Sequence, residues 1–279
     1  MSERRWVKEA FRSPNHCLKS VTTRGLNSAW KGHELSSHKM EEWGAVRSFE
    51  EALEKARTGY TEITEEMKTT FEESKKYIYE RAEPKHAMPV NDYVGSTPNV
   101  TRAILGLPKD MRRVDVKQKK VPGVHLVYEG GVNCGHEDRD LATYGARMLA
   151  LVSLCIRQQI PVKLSITDST EGLLSQGNGV VTMEVTIKEY EDAANIRKIA
   201  YWIAHPSTFR RINYAWMETS PIIERHCSGY GYPISNYDDD CEFVREKYEL
   251  EGAFWFSSRD FRSDEDILRA WERISDGRV

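Results

Sequence analysis

A change of rhythm at Val121 constrains this chain more than any other feature. From there, short apolar runs alternate with long helical stripes. VHLVYEG (Val124–Gly130) is an apolar run suited to a buried strand. LATYGARMLALVSLCIRQQ follows, with Leu141, Tyr144, Gly145, Met148, Leu151, Val152 and Cys155 on one stripe, and it ends at Ile160-Pro161. That spacing predicts a long helix laid against a sheet. VKLSITDS alternates through Val162, Leu164 and Ile166, and GVVTMEVTIK through Val181, Met183, Val185 and Ile187. The LSQGNG between them predicts an antiparallel hairpin at a sheet edge. DAANIRKIAYWIA then reads as a helix, HPSTFRR as a turn with a short helix, and INYAWME as a strand. Ser220 to Asp240 reads as a long surface excursion, AFWFSS as a strand, and SDEDILRAWERI as a closing helix capped by Ser263. The order β-α-β-β-α-β-loop-β-α implies an α/β fold. It would have a mainly parallel sheet flanked by helices, with one antiparallel edge.

Upstream the texture differs. Residues 1–47 are basic and weakly periodic, and predict a partly irregular arm with Trp6, Phe11 and Trp30 as anchors. Residues 48–120 predict a helical front region and a docking linker. In it, SFEEALEKARTG has Ser48 and Glu51 in capping-box spacing and Gly59 as a stop. TEITEEMKTTFEESKKYIYERA places Ile63, Met67, Phe71, Ser74 and Ile78 on one face. A short helix is expected between Asn99 and Leu105, in a segment whose Val94, Val100, Ile104 and Leu107 are too apolar for a free tether. The α/β domain occupies 121–279.

Charge is unevenly spread. Met1–Met40 holds eight Lys/Arg against three Asp/Glu, and Thr101–Lys120 holds seven against two, inside a chain of net charge -3. Such basic segments are able to meet phosphate or an acidic partner. Five scattered cysteines without a CxxC predict reduced thiols and a cytoplasmic setting. No apolar run of spanning length and no signal-like N-terminus occur, so no membrane association is expected.

The strand-helix-hairpin order resembles the von Willebrand factor A-type domain. More specifically, the stretch from about Ser48 onward is similar to an uncharacterised phage-associated family with an A-like domain. The likeness is carried by the helix ending in Gly59-Tyr60, by VGSTPNVTRAILGLPKDM (Val94–Met111) and by HPSTFRRINYAWME (His205–Glu218). It implies a fold and a phage context, hence the host cytoplasm, and no assigned reaction. A-type domains that bind metal use an Asp-x-Ser-x-Ser turn after the first strand. The resemblance puts Glu129 at the Asp position, Gly131 at the first Ser and Asn133 at the second, with Asp168 and Thr170 at the end of the next strand. Glycine supplies no oxygen and Asn only a neutral one, so these positions form a degenerate metal site and neither Mg²⁺ nor another cofactor is expected. Cys134, His136 and Asp138 are too crowded on one turn to hold a transition metal. Asp138 and Asp140 stand where a helix begins and favour its positive end.

No nucleophile elbow, phosphate loop or converging acid, base and nucleophile is visible, so no enzyme is expected. His205 reads as a helix C-terminal residue meeting the last carbonyls. Arg210 and Arg211 beside Tyr214 and Trp216, with Arg112, Arg113, Lys117, Lys119 and Lys120, combine cations and rings as single-strand binders do. Alternation in INYAW equally sends Tyr214 and Trp216 to a core face. The Tyr-rich acidic excursion, with Tyr230, Tyr232, Tyr237 and nearby Tyr248, suits a protein contact. Two functional expectations follow. One is a non-enzymatic phage accessory adaptor that docks on a protein, including copies of itself as an oligomer. The other is a single-stranded-DNA-binding cofactor of a polymerase or other DNA machinery, transcription included.

Overall fold

The computed structural model describes residues 4–38, 45–60, 65–82, 89–92, 97–98, 104, 107–108, 111–114, 122–131, 138–176, 179–227, 230, 232–234 and 238–276. They divide into two compact units, Met1–Ala82 with Gly123–Val279, and Glu83–Pro122.

The larger unit opens with β1 (Arg5–Phe11), α1 (Pro14–Thr23), α2 (Phe49–Thr58) and α3 (Glu65–Arg81). The smaller unit is a three-stranded antiparallel sheet of β2 (Pro89–Asp92), β3 (Thr97–Pro98) and β4 (Met111–Val114), with β4 in the centre. Ile104 and Leu107 of this unit are exposed, at 79% and 42%. The helix expected over 99–105 falls outside the described residues, Ile104 excepted. The larger unit resumes with β5 (Val124–Glu129), α4 (Asp138–Arg157), β6 (Val162–Glu171), β7 (Gly179–Lys188), α5 (Ile196–Ala204) and α6 (Asn213–Thr219). It closes with β8 (Tyr232–Pro233), α7 (Asp238–Leu250), β9 (Ala253–Ser257) and α8 (Asp264–Asp276).

The main sheet runs β1-β7-β6-β5-β9, with β8 added beside the end of β6. β5 pairs parallel with β6 and with β9, β1 pairs parallel with β7, and β6 pairs antiparallel with β7. The expected α/β class and mostly parallel mixed sheet are therefore present. The hairpin is not the edge, because β1 lies outside it in register from Arg5↔Gly179 to Phe11↔Val185.

The two sheet faces differ in chemistry. One carries Leu126, Tyr128, Leu164, Ile166, Val181, Met183 and Val185 into the large core under α4, α5 and α8. On the other, Val127, Val180 and Trp255 join Cys241, Val244 and Tyr248 of α7 in a small apolar cluster. Polar positions of that second face on β5, β6 and β7 include His125, Glu129, Ser165, Thr167, Ser169, Thr182, Glu184 and Thr186. Opposite pairs in the ladder are Ser165↔Thr186, Thr167↔Glu184 and Ser169↔Thr182. The Ser169 and Thr182 hydroxyls are 2.9 Å apart, and Trp6 Nε1 donates to Thr182 at 3.0 Å. Tyr248 Oη donates to Glu184 at 3.1 Å, and Ser165 Oγ lies 2.9 Å from His125 Nε2. The Ser and Thr residues among these are buried, like the apolar ones across the sheet.

Several local signals act as the sequence implies. Ser48 accepts from Glu51 N at 3.1 Å, while the Glu51 carboxylate reaches back to Arg47 N at 2.8 Å. Ser263 and Asp266 form a reciprocal cap on α8. Met67, Ser74 and Ile78 of α3 are buried.

Four expectations are corrected. The arm at 1–47 is not irregular where it is described: its first strand belongs to the main sheet and α1 is capped by Ser13. Its expected anchors Phe11 and Trp30 are buried at 2% and 0%. The arm is stitched down by carboxylates. Glu218 accepts from Ser37 N at 3.1 Å and Tyr230 Oη at 2.7 Å, and Glu9 accepts from Trp216 Nε1 at 2.7 Å and Arg24 at 2.6 Å. INYAWME is not a strand but α6, entered through a π-helical turn at Thr208–Ile212. Every residue of α6 except the half-buried Tyr214 is buried, so the Tyr214–Trp216 alternation marks no strand face. The excursion ends in α7, whose Cys241, Val244 and Tyr248 are its inward stripe. The boundary expected at 120/121 also differs: α2 and α3 share the larger unit, and the division falls at Ala82 and Gly123.

Candidate functional site at the carboxyl edge of the sheet

In open α/β sheets, ligands gather where strands end and the connections diverge. Here that place is the end of β5, which leads through α4 to β6 on one side and has β9 on the other. Three sequence segments converge on it: VYEGG, SITDST and the FRRIN of the π-helical turn.

Only glycine fits the turn that leaves β5. A β-carbon on Gly130 would collide with the Phe209 ring, and one on Gly131 would lie 2.6 Å from Asp168 Oδ1 and 3.0 Å from Glu129 Oε1. Two buried carboxylates thus face the same point. Glu129 is 0% exposed and Asp168 4%. Glu129 accepts four hydrogen bonds, from Ser169 N (2.9 Å), Ser169 Oγ (2.6 Å), Thr167 Oγ1 (3.1 Å) and Gly131 N (3.4 Å). Burial pushes its pKa up, and these donors oppose the rise. Asp168 accepts from Asn213 Nδ2 at 2.6 Å, and burial together with the Glu129 charge raises its pKa well above the usual aspartate range. Asn213 itself is 1% exposed, and its Oδ1 has no hydrogen-bond partner among the described residues.

This arrangement does not fit a hard cation. The lone pairs of Glu129 are occupied by protein donors, Gly131 brings no oxygen, and among the described residues no three His, Cys, Asp or Glu converge as a metal shell. Asn133, Cys134 and His136 lie outside the described residues. Thr170 is buried at 2%, and α4 begins at Asp138, where a helix start was expected. Asp168 had only been a peripheral candidate. Its pairing with Asn213 was invisible in the sequence, because it depends on the π-helical turn that aims Asn213 at β6.

The other candidates separate. Arg210 and Arg211 are buried at 4% and 1%, and Arg211 Nη1 donates to Ser36 O at 3.0 Å. Their guanidinium groups are therefore corrected from a nucleic-acid surface to the interior, where Arg211 helps hold the arm. Arg112 and Arg113 lie on β4, opposite Asn91 and Val90, and Lys117, Lys119 and Lys120 lie outside the described residues. His205 caps α5, but its ring meets Ser207 (Oγ 2.8 Å from Nδ1), whose hydroxyl in turn lies 2.8 Å from Tyr201 Oη. Burial depresses the His205 pKa to about 3, so the ring is neutral and does not act as a cation on the helix carbonyls.

The fold and this edge define an α/β protein with a mostly parallel mixed sheet flanked by helices. Over residues 4–275 the chain matches the family described as a domain of unknown function, DUF7192, and it belongs to that family. No curated protein and no solved structure matches it. Among the described residues no helix is long and apolar enough to cross a membrane.

Proposed function

We propose that the protein is a non-catalytic, phage-encoded accessory protein of the host cytoplasm that docks on a macromolecular partner through the Glu83–Pro122 unit. One observation carries this reading: charge is divided between the units. Of the 40 Lys/Arg and 43 Asp/Glu, eight and four lie in Glu83–Pro122, a net +4, leaving 32 and 39 in the larger unit, a net -7. A segment of this size buries little core of its own, and it exposes Ile104 and Leu107. Basic charge with exposed apolar side chains on a small separate unit suits binding better than catalysis. The run from β5 through α4 to the β6–β7 hairpin supports the A-like reading of the larger unit, with the cation-binding turn replaced by Glu129 and its donors.

The test is co-purification of a protein partner with the full chain and with a variant in which Arg112, Arg113, Lys117, Lys119 and Lys120 are changed to Glu. A stoichiometric protein partner lost in the variant is the expected result. Salt-sensitive single-stranded DNA in its place would favour the DNA-binding reading over the protein adaptor. Equal recovery with both chains would overturn the assignment of this unit.

A further inference from the structure

We propose that the outer face of α7 is the receiving surface for the Glu83–Pro122 unit of a second copy of this chain, an inference that rests on reading that unit as the docking element. α7 is amphipathic in an uneven way. Its inward stripe, Cys241, Val244 and Tyr248, packs on the sheet. Six of its thirteen residues are acidic, and three of those are matched within the chain: Asp238 by Arg259, Asp240 by Arg4 and Glu249 by Arg273. The other three, Asp239, Glu242 and Glu246, are exposed and enter no ion pair among the described residues. Their spacing of three and four places them on one stripe about 10 Å long. Leu250, 83% exposed, ends that stripe, and Tyr232, 58% exposed, precedes the helix.

α3 makes the contrast. Of its described exposed acids, Glu65 and Glu72 are neutralised by Lys68 and Lys75 one turn on and Glu80 lies 3.9 Å from Arg81, which leaves one, Glu73, outside any ion pair among the described residues. α7 instead leaves three such acids on one stripe, with the exposed Leu250 at its end. The complementary surface is already present in the same molecule. Glu83–Pro122 is net positive and exposes Ile104 and Leu107, so the two sides offer opposite charge and exposed apolar surface. A contact between two different surfaces of identical chains is heterologous. Copies joined this way add head to tail, closing into a ring or growing as a filament.

Sedimentation and light scattering of the full-length chain test this. Assembly larger than a monomer is expected at low salt and is expected to weaken several-fold as salt screens the charges. Asp239→Asn with Glu242→Gln and Glu246→Gln should give a monomer, and so should Arg112→Gln with Arg113→Gln, Lys117→Gln, Lys119→Gln and Lys120→Gln. Circular dichroism matching the parent shows that each variant is folded. Mixed in equal amounts, the two variants should form a dimer and nothing larger, because each keeps the surface the other has lost. A parent that stays monomeric at low salt, an α7 variant that assembles unchanged, or a mixture that stays monomeric would each overturn the inference. Loss of a foreign partner by the basic-unit variant, with an unimpaired α7 variant and a monomeric parent, would leave the proposed function standing and remove only this step.

Discussion

The two faces of the main sheet are built from the same strands and are buried to a similar depth, yet by opposite means. On one, Leu126, Leu164, Ile166 and Met183 fill the space under α4 and α5. On the other, Ser165, Thr167, Ser169, Thr182 and Thr186 bond to one another and to His125 and Glu129. Apolar burial is non-directional and tolerates adjustment, whereas a buried polar face is stable only if each group finds its partner. The polar face accordingly fixes register more than it adds stability. A slip of β6 against β7 would break the Ser169–Thr182 pair, and a slip of β6 against β5 would strand Glu129.

Cutting into the apolar face should cost most. Leu164→Ala is expected to destabilise by about 2–5 kcal/mol, read by denaturant unfolding. If it costs less than the polar-face changes, the contrast between the faces is wrong. Glu129→Ala should follow at about 2–3 kcal/mol. It strands the Ser169 and Thr167 hydroxyls and two backbone N–H groups, while relieving one buried charge. Asp168→Asn has the opposite sign. Folding raises the Asp168 pKa, so the folded state holds the proton more tightly, and the parent loses stability as pH rises from the ordinary value of 3.8 toward the raised one. The Asn variant should melt a few degrees higher at pH 8 and about equally at pH 4; a lower melting point at pH 8 would mean that the charge is needed. Thr186→Val should matter least, within about 0.5 kcal/mol, since its hydroxyl makes one long bond of 3.4 Å to Ser165.

What the sequence disclosed follows from the same contrast. Alternation in VKLSITDS and GVVTMEVTIK located β6 and β7, and the seven-position stripe from Leu141 to Cys155 located α4. Alternation says which positions are polar, not whether water or protein covers them. The burial of Thr167, Ser169 and Thr182 was therefore not readable. β1 escaped notice because RWVKEAF carries charges typical of an edge strand and pairs with a partner far along the chain. α6 was not legible because it is buried nearly all round, so no single apolar stripe marks it as a helix. At the carboxyl edge, Glu129 and Gly131 could be singled out from their place after a strand. Asp168 and Asn213 meet only once β6 and the turn before α6 are both in place.

The position of β1 also sets the order of events in folding. Arg5 leaves the ribosome well ahead of its ladder partner, Gly179, which follows 174 positions later. Until β7 exists β1 has no neighbour in the sheet, so it is made early and docks late, at the entropy cost of closing a long loop. Until then β7 presents an open edge, and anything that delays the docking of β1 prolongs that exposure.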